Sequence, residues 1–291
     1  MSRPVRTAGL LLALALAAGG APGDEDAKNL QLLVAAGIKV RVKTALEVET
    51  AAKKPAGGGP AVAPPDVKFE CEYVDEGIDD TTRRRTYVKQ TALAGKGKPQ
   101  PQALQGVELG FTRSQEDLAI TAAKGELSED LKSTLRNGSL DPIEILISRE
   151  PMRKGSTWTV SHQVLAQFRR VLCAGWRPEG ETSPDPWFLL AGGVGRLADL
   201  KLTATLQGTS GPVWVMTWVG KAESPPPKKG EATARWRIEI KAAAKIEAER
   251  GIPINLVWEE LIEHQPAAGA TEGLPDLRLT VKVRRDYRPE K

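Results

Sequence analysis

Residues 234–248, ARWRIEIKAAAKIEA, decide the architecture. Ala234, Trp236, Ile238, Ile240, Ala242, Ala244, Ile246 and Ala248 fall on one parity, and Arg235, Arg237, Glu239, Lys241, Lys245 and Glu247, continued by Glu249, fall on the other. A period of two sustained this long marks a β-strand with one face buried and one face in water. At about 3.3 Å per residue the run reaches roughly 50 Å, and strands of that length twist and coil to stay paired. A strongly curved antiparallel sheet is therefore expected, not a flat sandwich.

The same alternation recurs on both sides of this run. After a turn at Glu249 to Gly251 come Ile254, Leu256 and Trp258, and the last strand carries Leu277, Leu279, Val281 and Val283 against Arg278, Lys282 and Arg284. Before it, Val213, Val215 and Val219 oppose Trp214, Met216 and Trp218, so both faces of that strand are apolar and both are expected to be covered. Ala198, Leu200, Leu202, Ala204 and Leu206 form a further alternating row. In the first half, Val40, Val42, Thr44, Leu46 and Val48 alternate with Lys39, Arg41, Lys43, Glu47 and Glu49. The Leu30 to Ala35 run is expected to pair with that strand as a tight hairpin through Gly37. Val67, Phe69, Cys71 and Tyr73 begin another strand, which residues 82–90 meet across a turn at Asp79 and Asp80, and further strands are expected at Val107 to Thr112 and Leu118 to Ala122.

Helical spacing is rare. Leu127, Leu131 and Leu135 recur at intervals of four and stop at Asn137 and Gly138. The clearer helix follows Thr157 to Val160: Ser161 suits an N-cap, Val164, Leu165, Phe168, Val171 and Leu172 make one stripe, and Arg169 and Arg170 complement the dipole near the C-terminal end. Strand and helix do not alternate, which argues against a parallel sheet. The expected fold is mostly β: a curved antiparallel sheet or open barrel of nine to eleven strands, with one or two short helices on the concave side.

Residues 1–20 have the layout of a signal peptide, with Arg3 and Arg6, an apolar run from Ala8 to Ala18, and the small residues Gly19, Gly20 and Ala21. That run is too short for a bilayer and no later segment is longer, so no transmembrane segment is expected. Residues 21–291 are read as a single β-rich domain with Pro/Gly-rich loops at 50–66, 94–106, 176–196 and 224–230, exported to the periplasm or beyond the cell. Lys and Arg number 41 against 37 Asp and Glu, and without Arg3 and Arg6 the balance is 39 to 37. The charges alternate along strands instead of forming a basic block, so no nucleic-acid partner is expected.

The chemistry is sparse. His162 and His264 lie on separate elements and do not make a metal site, and no cofactor is expected. Ser161 beside His162 reads as a cap and a first-turn residue, since no nucleophile elbow is present. Asp79 with Asp80, and Glu259 with Glu260, are the carboxylate pairs a hydrolase could use, but the first pair sits in a turn and strand neighbours face opposite ways. Gly192, Gly193 and Gly195 lack the setting of a nucleotide loop. Cys71 and Cys173 are the two cysteines: in an oxidising compartment they can pair, and at buried apolar positions they can equally remain thiols.

All seven tryptophans follow residue 157. Trp214, Met216 and Trp218, continued by Trp236 and faced by Phe168, form an aromatic stripe suited to an acyl chain, a sugar face or a partner protein, and equally to core packing. Three readings stay open: an exported non-catalytic binding or carrier module with an apolar groove, a structural or interaction protein of the cell envelope, and a carboxylate-based hydrolase. The expected partner is an apolar or acyl ligand or an envelope protein.

The segment Pro151 to Val160, PMRKGSTWTV, with Gly155 and Trp158 ahead of a helix, resembles a recurrent feature of uncharacterised exported bacterial β-proteins. Together with the long strand pairs and the turn Gly251-Ile252-Pro253, it is similar to half-barrels of the lipoprotein-carrier type. The resemblance implies an antiparallel sheet curled around helices, holding acyl chains in its cavity.

Overall fold

In the computed structural model the chain is described over residues 35–52, 65–114, 118–136, 141–148, 150–176, 200–210, 212–224, 233–247, 250–267 and 276–290. The first half supplies β1 (Lys39–Ala52), β2 (Val67–Gly77), β3 (Thr82–Ala94), β4 (Gln100–Pro101), β5 (Glu108–Arg113) and β6 (Leu118–Lys124). Helices α1 (Glu129–Arg136) and α2 (Pro142–Leu146) follow, then β7 (Thr157–Val160) and α3 (His162–Leu172). The second half continues with β8 (Leu202–Ser210), β9 (Val213–Glu223), β10 (Arg235–Glu247), β11 (Ile252–Gln265) and β12 (Leu277–Glu290).

All twelve strands belong to one open antiparallel sheet in the order β6-β5-β3-β2-β1-β12-β11-β10-β9-β8-β7, with β4 added to β3. Each half is a meander, and β1 pairs with β12 from Lys39↔Glu290 to Ala52↔Leu277 to join them. The edges are β6 and β7, so the connection between the halves must travel from one edge to the other, and it carries α1 and α2 with it.

The path of α3 shows how far the sheet curls. Its N-cap Ser161 directly follows β7, and Ala174, just past its end, accepts a hydrogen bond from Gln90 on β3. In a flat sheet the eight strand spacings from β7 to β3 would cover about 38 Å, whereas eleven helical residues rise only about 17 Å. The sheet must therefore wrap around its helices.

The alternating strands behave as expected. On β10, Trp236, Ile238, Ile240, Ala244 and Ile246 are buried, while Lys241 and Lys245 are exposed. Register sets large side chains against small ones: Ala242 lies between Trp218 of β9 and Trp258 of β11, and Ala244 between Met216 and Leu256. Pro253 enters β11 beside a register shift at Lys245/Ile246, where an irregular ladder tolerates it.

Several expectations need correction. Among the described residues there are twelve strands and three helices. The extra helix, α2, is short but has a strong start: Asp141 accepts from the Ile143 amide as N-cap and Pro142 occupies the first turn. The loop expected at 50–66 begins only after Ala52, because β12 pairs with β1 that far. The loop expected at 94–106 contains β4 and the fully buried Leu104. The loops at 176–196 and 224–230 lie almost wholly outside the described residues, as do the signal peptide, Ala198 and the Gly192 to Gly195 segment. Both edges of β1 are occupied, by β2 and β12, and residues 30–34 of the expected hairpin lie outside the described residues. Both faces of β9 were expected to be covered, but among the described residues the outer face is covered only in part: Val213 and Val215 are half-buried and Val219 is 57% exposed. The helices lie on the concave side, and the outer parity is laced with ion pairs such as Arg237 with Glu223, Glu239 and Glu263.

Candidate functional site: two halves of the concave face

From β8 to β11 the inner face is apolar. Leu202, Ala204 and Leu206 on β8, Trp214, Met216 and Trp218 on β9, and Ile238, Ile240 and Ile246 on β10 are all buried in one continuous core. Trp218 is 0% exposed and donates its indole N–H to the Leu146 carbonyl at 3.3 Å, as Trp158 of β7 does at 2.9 Å. The last turn of α2 is thus held by two indoles. Phe168 of α3 packs on Trp258, ring centroids 4.8 Å apart.

The aromatic residues of the expected stripe are placed differently from the expectation. Trp214, Met216 and Trp218 share the buried face of β9, and Phe168 packs against Trp258, two strands away on β11. Trp236 does not extend the stripe: opposite Trp218 stands Ala242, six residues along β10, and Trp236 instead stacks with His264 at 4.3 Å. The indole that continues the stripe is Trp258, across Ala242. In this structure all five residues are core, with Trp214 and Trp236 the least enclosed at 7% and 9% exposure.

One ion pair is set into this apolar half. Arg169 of α3 donates to Glu260 of β11, both buried, while the Arg169 Nε has no hydrogen-bond partner. Arg169 thus does more than complement a helix dipole at the surface, as its sequence position suggested. Glu259 is exposed, so the Glu259/Glu260 pair is divided between the two faces as strand parity requires.

From β12 to β3 the inner face is also largely apolar, with Val283, Leu46 and Phe69 in the same core, but a network of buried polar groups is set into it. Arg285 of β12 donates to Asp141 Oδ2 at 3.0 Å, Tyr287 at 2.6 Å, Thr44 at 2.7 Å and Tyr73. The Tyr287 hydroxyl in turn reaches both Asp141 oxygens at 2.9 Å. Asp141 therefore caps α2 and anchors it to the sheet with the same carboxylate. Burial would raise its pKa, but the Arg285 guanidinium, the Ile143 amide and the Tyr287 hydroxyl outweigh that and hold it below the usual Asp value. Beside it, Arg85 grips Asp75 with two bonds of 2.6 and 2.7 Å, and its guanidinium lies 4.0 Å from the centre of the Tyr73 ring. Burial pushes the Tyr73, Tyr87 and Tyr287 hydroxyls up, so they remain donors.

The sequence reading missed this network, although a signal for it was present. Asp75, Arg83, Arg85, Glu260 and Arg285 all occupy the apolar parity of their strands, where a charge in an otherwise apolar row must find a buried partner.

Next to the network lies Cys71, in the cross-strand row Arg285–Thr44–Cys71–Gln90. Burial pushes its thiol up to about 11. Cys173 caps the end of α3, and both cysteines are buried and not joined to each other in this structure. Elsewhere Ser161 caps α3 through the Val164 amide, and Asp79 accepts from the Thr81 and Thr82 amides within its turn, which are the structural roles expected of both. Among the described residues no three His, Cys, Asp or Glu side chains gather as a metal site, and no helix is long and apolar enough to cross a membrane.

No known protein family matches this chain, and no curated protein is similar to it by sequence. Among solved structures it is similar to lipovitellin, studied for its lipid–protein interactions, with 12% identity, a TM-score of 0.44, and coverage of 88% of this chain and 25% of that one. This chain thus spans a quarter of the length of the structure it matches.

Proposed function

We propose that the chain is an exported, non-catalytic module that takes an apolar, acyl-type ligand between α3 and strands β8 to β11. The supporting observation is the buried apolar row of those strands, which among the described residues is faced by short helices, α3 at Trp258 and α2 at Trp218, and not by a second sheet. An acyl chain entering there exchanges like for like, since its methylenes replace apolar contacts such as that of Phe168 with Trp258, beside the buried Leu165 and Leu172. Entry there parts one buried pair, Arg169 from Glu260, whereas entry on the other half would strip partners from Arg285, Asp141, Arg85 and Asp75 together, which is more costly. The fully enclosed Trp218 and Phe168 mean that α3 must lift from the sheet to admit a ligand.

Native mass spectrometry with lipid extraction, on protein from its own envelope fraction, tests this. A bound acyl species is expected, and it should be lost in Trp214→Ala, a substitution at the margin of the core that leaves the fold standing. Ligand-free protein would overturn the proposal. That result would favour the envelope-interaction reading, for which the observation is the outward Val219 and Val257, 57% and 45% exposed.

A further inference from the structure

We propose that Cys71 and Cys173 are a redox pair, and that a disulfide between them fastens the C-terminal end of α3 to β2. The contacts on either side of the two cysteines bring them together. Gln90 lies directly across from Cys71 in register, and its Nε2 donates to the carbonyl of Ala174, the residue after Cys173, at 2.7 Å. On the other flank Phe69, two residues before Cys71 on the same strand face, meets the Trp176 ring at 6.2 Å, three residues beyond Cys173. These contacts seat the turn that ends α3 against β2 and β3, and both cysteines are buried there.

The turn itself is pressed against that space. Gly175 has φ +84°, and a Cβ there would come within 2.8 Å of Gln90 Oε1 and of Leu104 Cγ. A disulfide needs Cα atoms within about 4.4–6.8 Å, and the close seating of this turn on β3 is what the pairing relies on.

The chemistry is thiol–disulfide exchange with a low-molecular-weight or protein disulfide. One cysteine thiolate attacks the oxidant and releases one of its thiolates. The second cysteine thiolate then attacks the mixed disulfide and releases the other. Two S–H bonds are lost, one S–S bond forms, and two electrons and two protons pass to the oxidant. Burial keeps Cys71 protonated and shielded in the folded chain, so the bond forms while α3 is still settling on the sheet. The pairing rests on these contacts alone and is independent of the ligand proposed above.

The test refolds the reduced full chain into buffer containing reduced and oxidised glutathione, alkylates it with iodoacetamide under denaturing conditions, and weighs it intact. The expected product is a monomer lighter by two hydrogen atoms, with no alkyl groups and one peptide pair joining the two cysteines. Its urea midpoint should lie above that of the same chain kept reduced. Cys173→Ser, checked for native tryptophan fluorescence, should refold to the lower midpoint whatever the redox buffer. Two alkylated thiols or two glutathione adducts on the wild-type chain would overturn the proposal, and so would a Cys173→Ser midpoint equal to that of the oxidised wild type.

Discussion

The two halves of the concave face hold their helices in opposite ways. Around Arg285 the bonds are directional and reciprocal, because one guanidinium serves Asp141, Tyr287, Thr44 and Tyr73, and Asp141 in turn caps α2. Around Trp258 the hold is mostly area: Phe168 packs on the indole within a core that includes Leu165 and Leu172, and among the described residues the Arg169–Glu260 pair leaves one nitrogen without a partner. Directional bonds specify where a helix docks, while apolar area supplies the free energy and tolerates rearrangement. The polar half is thus the locating pin, and the apolar half is the part that can exchange its contents.

The largest expected effect comes from removing the pin. Arg285→Ala leaves the buried Asp141 carboxylate without its counter-charge and takes a donor from the Thr44 and Tyr73 hydroxyls, and should cost about 3–5 kcal/mol in urea unfolding. Adding Asp141→Leu should not restore stability, because the α2 cap and the tyrosine hydroxyls still lack partners. Glu260→Leu should cost a similar amount by leaving Arg169 buried alone, but there the double variant with Arg169→Met should return to within about 1 kcal/mol of wild type. Equal rescue at both sites would erase the distinction between the halves. Trp218→Phe should cost about 1–2 kcal/mol, since it keeps most of the apolar area and loses the bond to Leu146.

The two halves also differ in pH response. The pKa of Asp141 is lower in the folded than in the unfolded chain, so its contribution is present above the ordinary Asp value and is lost as pH falls through the folded value. Asp141→Asn should therefore flatten the acid limb of the stability profile. Cys71 is raised to about 11, so its contribution is whole below the ordinary thiol range and is lost as pH rises through about 11. Cys71→Ala in reduced protein should flatten the alkaline limb. The smallest effect belongs to the outer face: Val219→Lys should change stability by less than about 0.5 kcal/mol, measured the same way.

Strand identity was legible in the sequence because parity alone divides Ile238 from Glu239 or Val283 from Arg284. Register was not, since it depends on which strands meet, and register makes Trp258, not Trp236, the neighbour of Trp218. The five residues of α2 are too few for a period to declare itself, so only the Asp141-Pro142 start marked the helix. The buried network was half legible: Arg285 and Asp75 stand out in their apolar rows, but Asp141 reaches Arg285 from 144 residues away and no local pattern links them. Most of the apolar stripe was found because aromatic residues cluster visibly on one parity, whereas its role as core followed only from the placement of α3.

The seam between β1 and β12 brings together residues as distant as Glu49 and Lys282, 233 positions apart. Within each meander, neighbouring strands in the sheet are close neighbours in the chain and can zip together one hairpin at a time. The seam must wait for the last strand, and contacts this distant form slowly. Until β12 arrives, β1 is an edge strand that offers Val40, Val42, Leu46 and Val48 and a row of unsatisfied amides to any passing chain. The strand that ends at the centre of the finished sheet is therefore its most exposed point during assembly, and the place where a chaperone or an aggregate would first take hold.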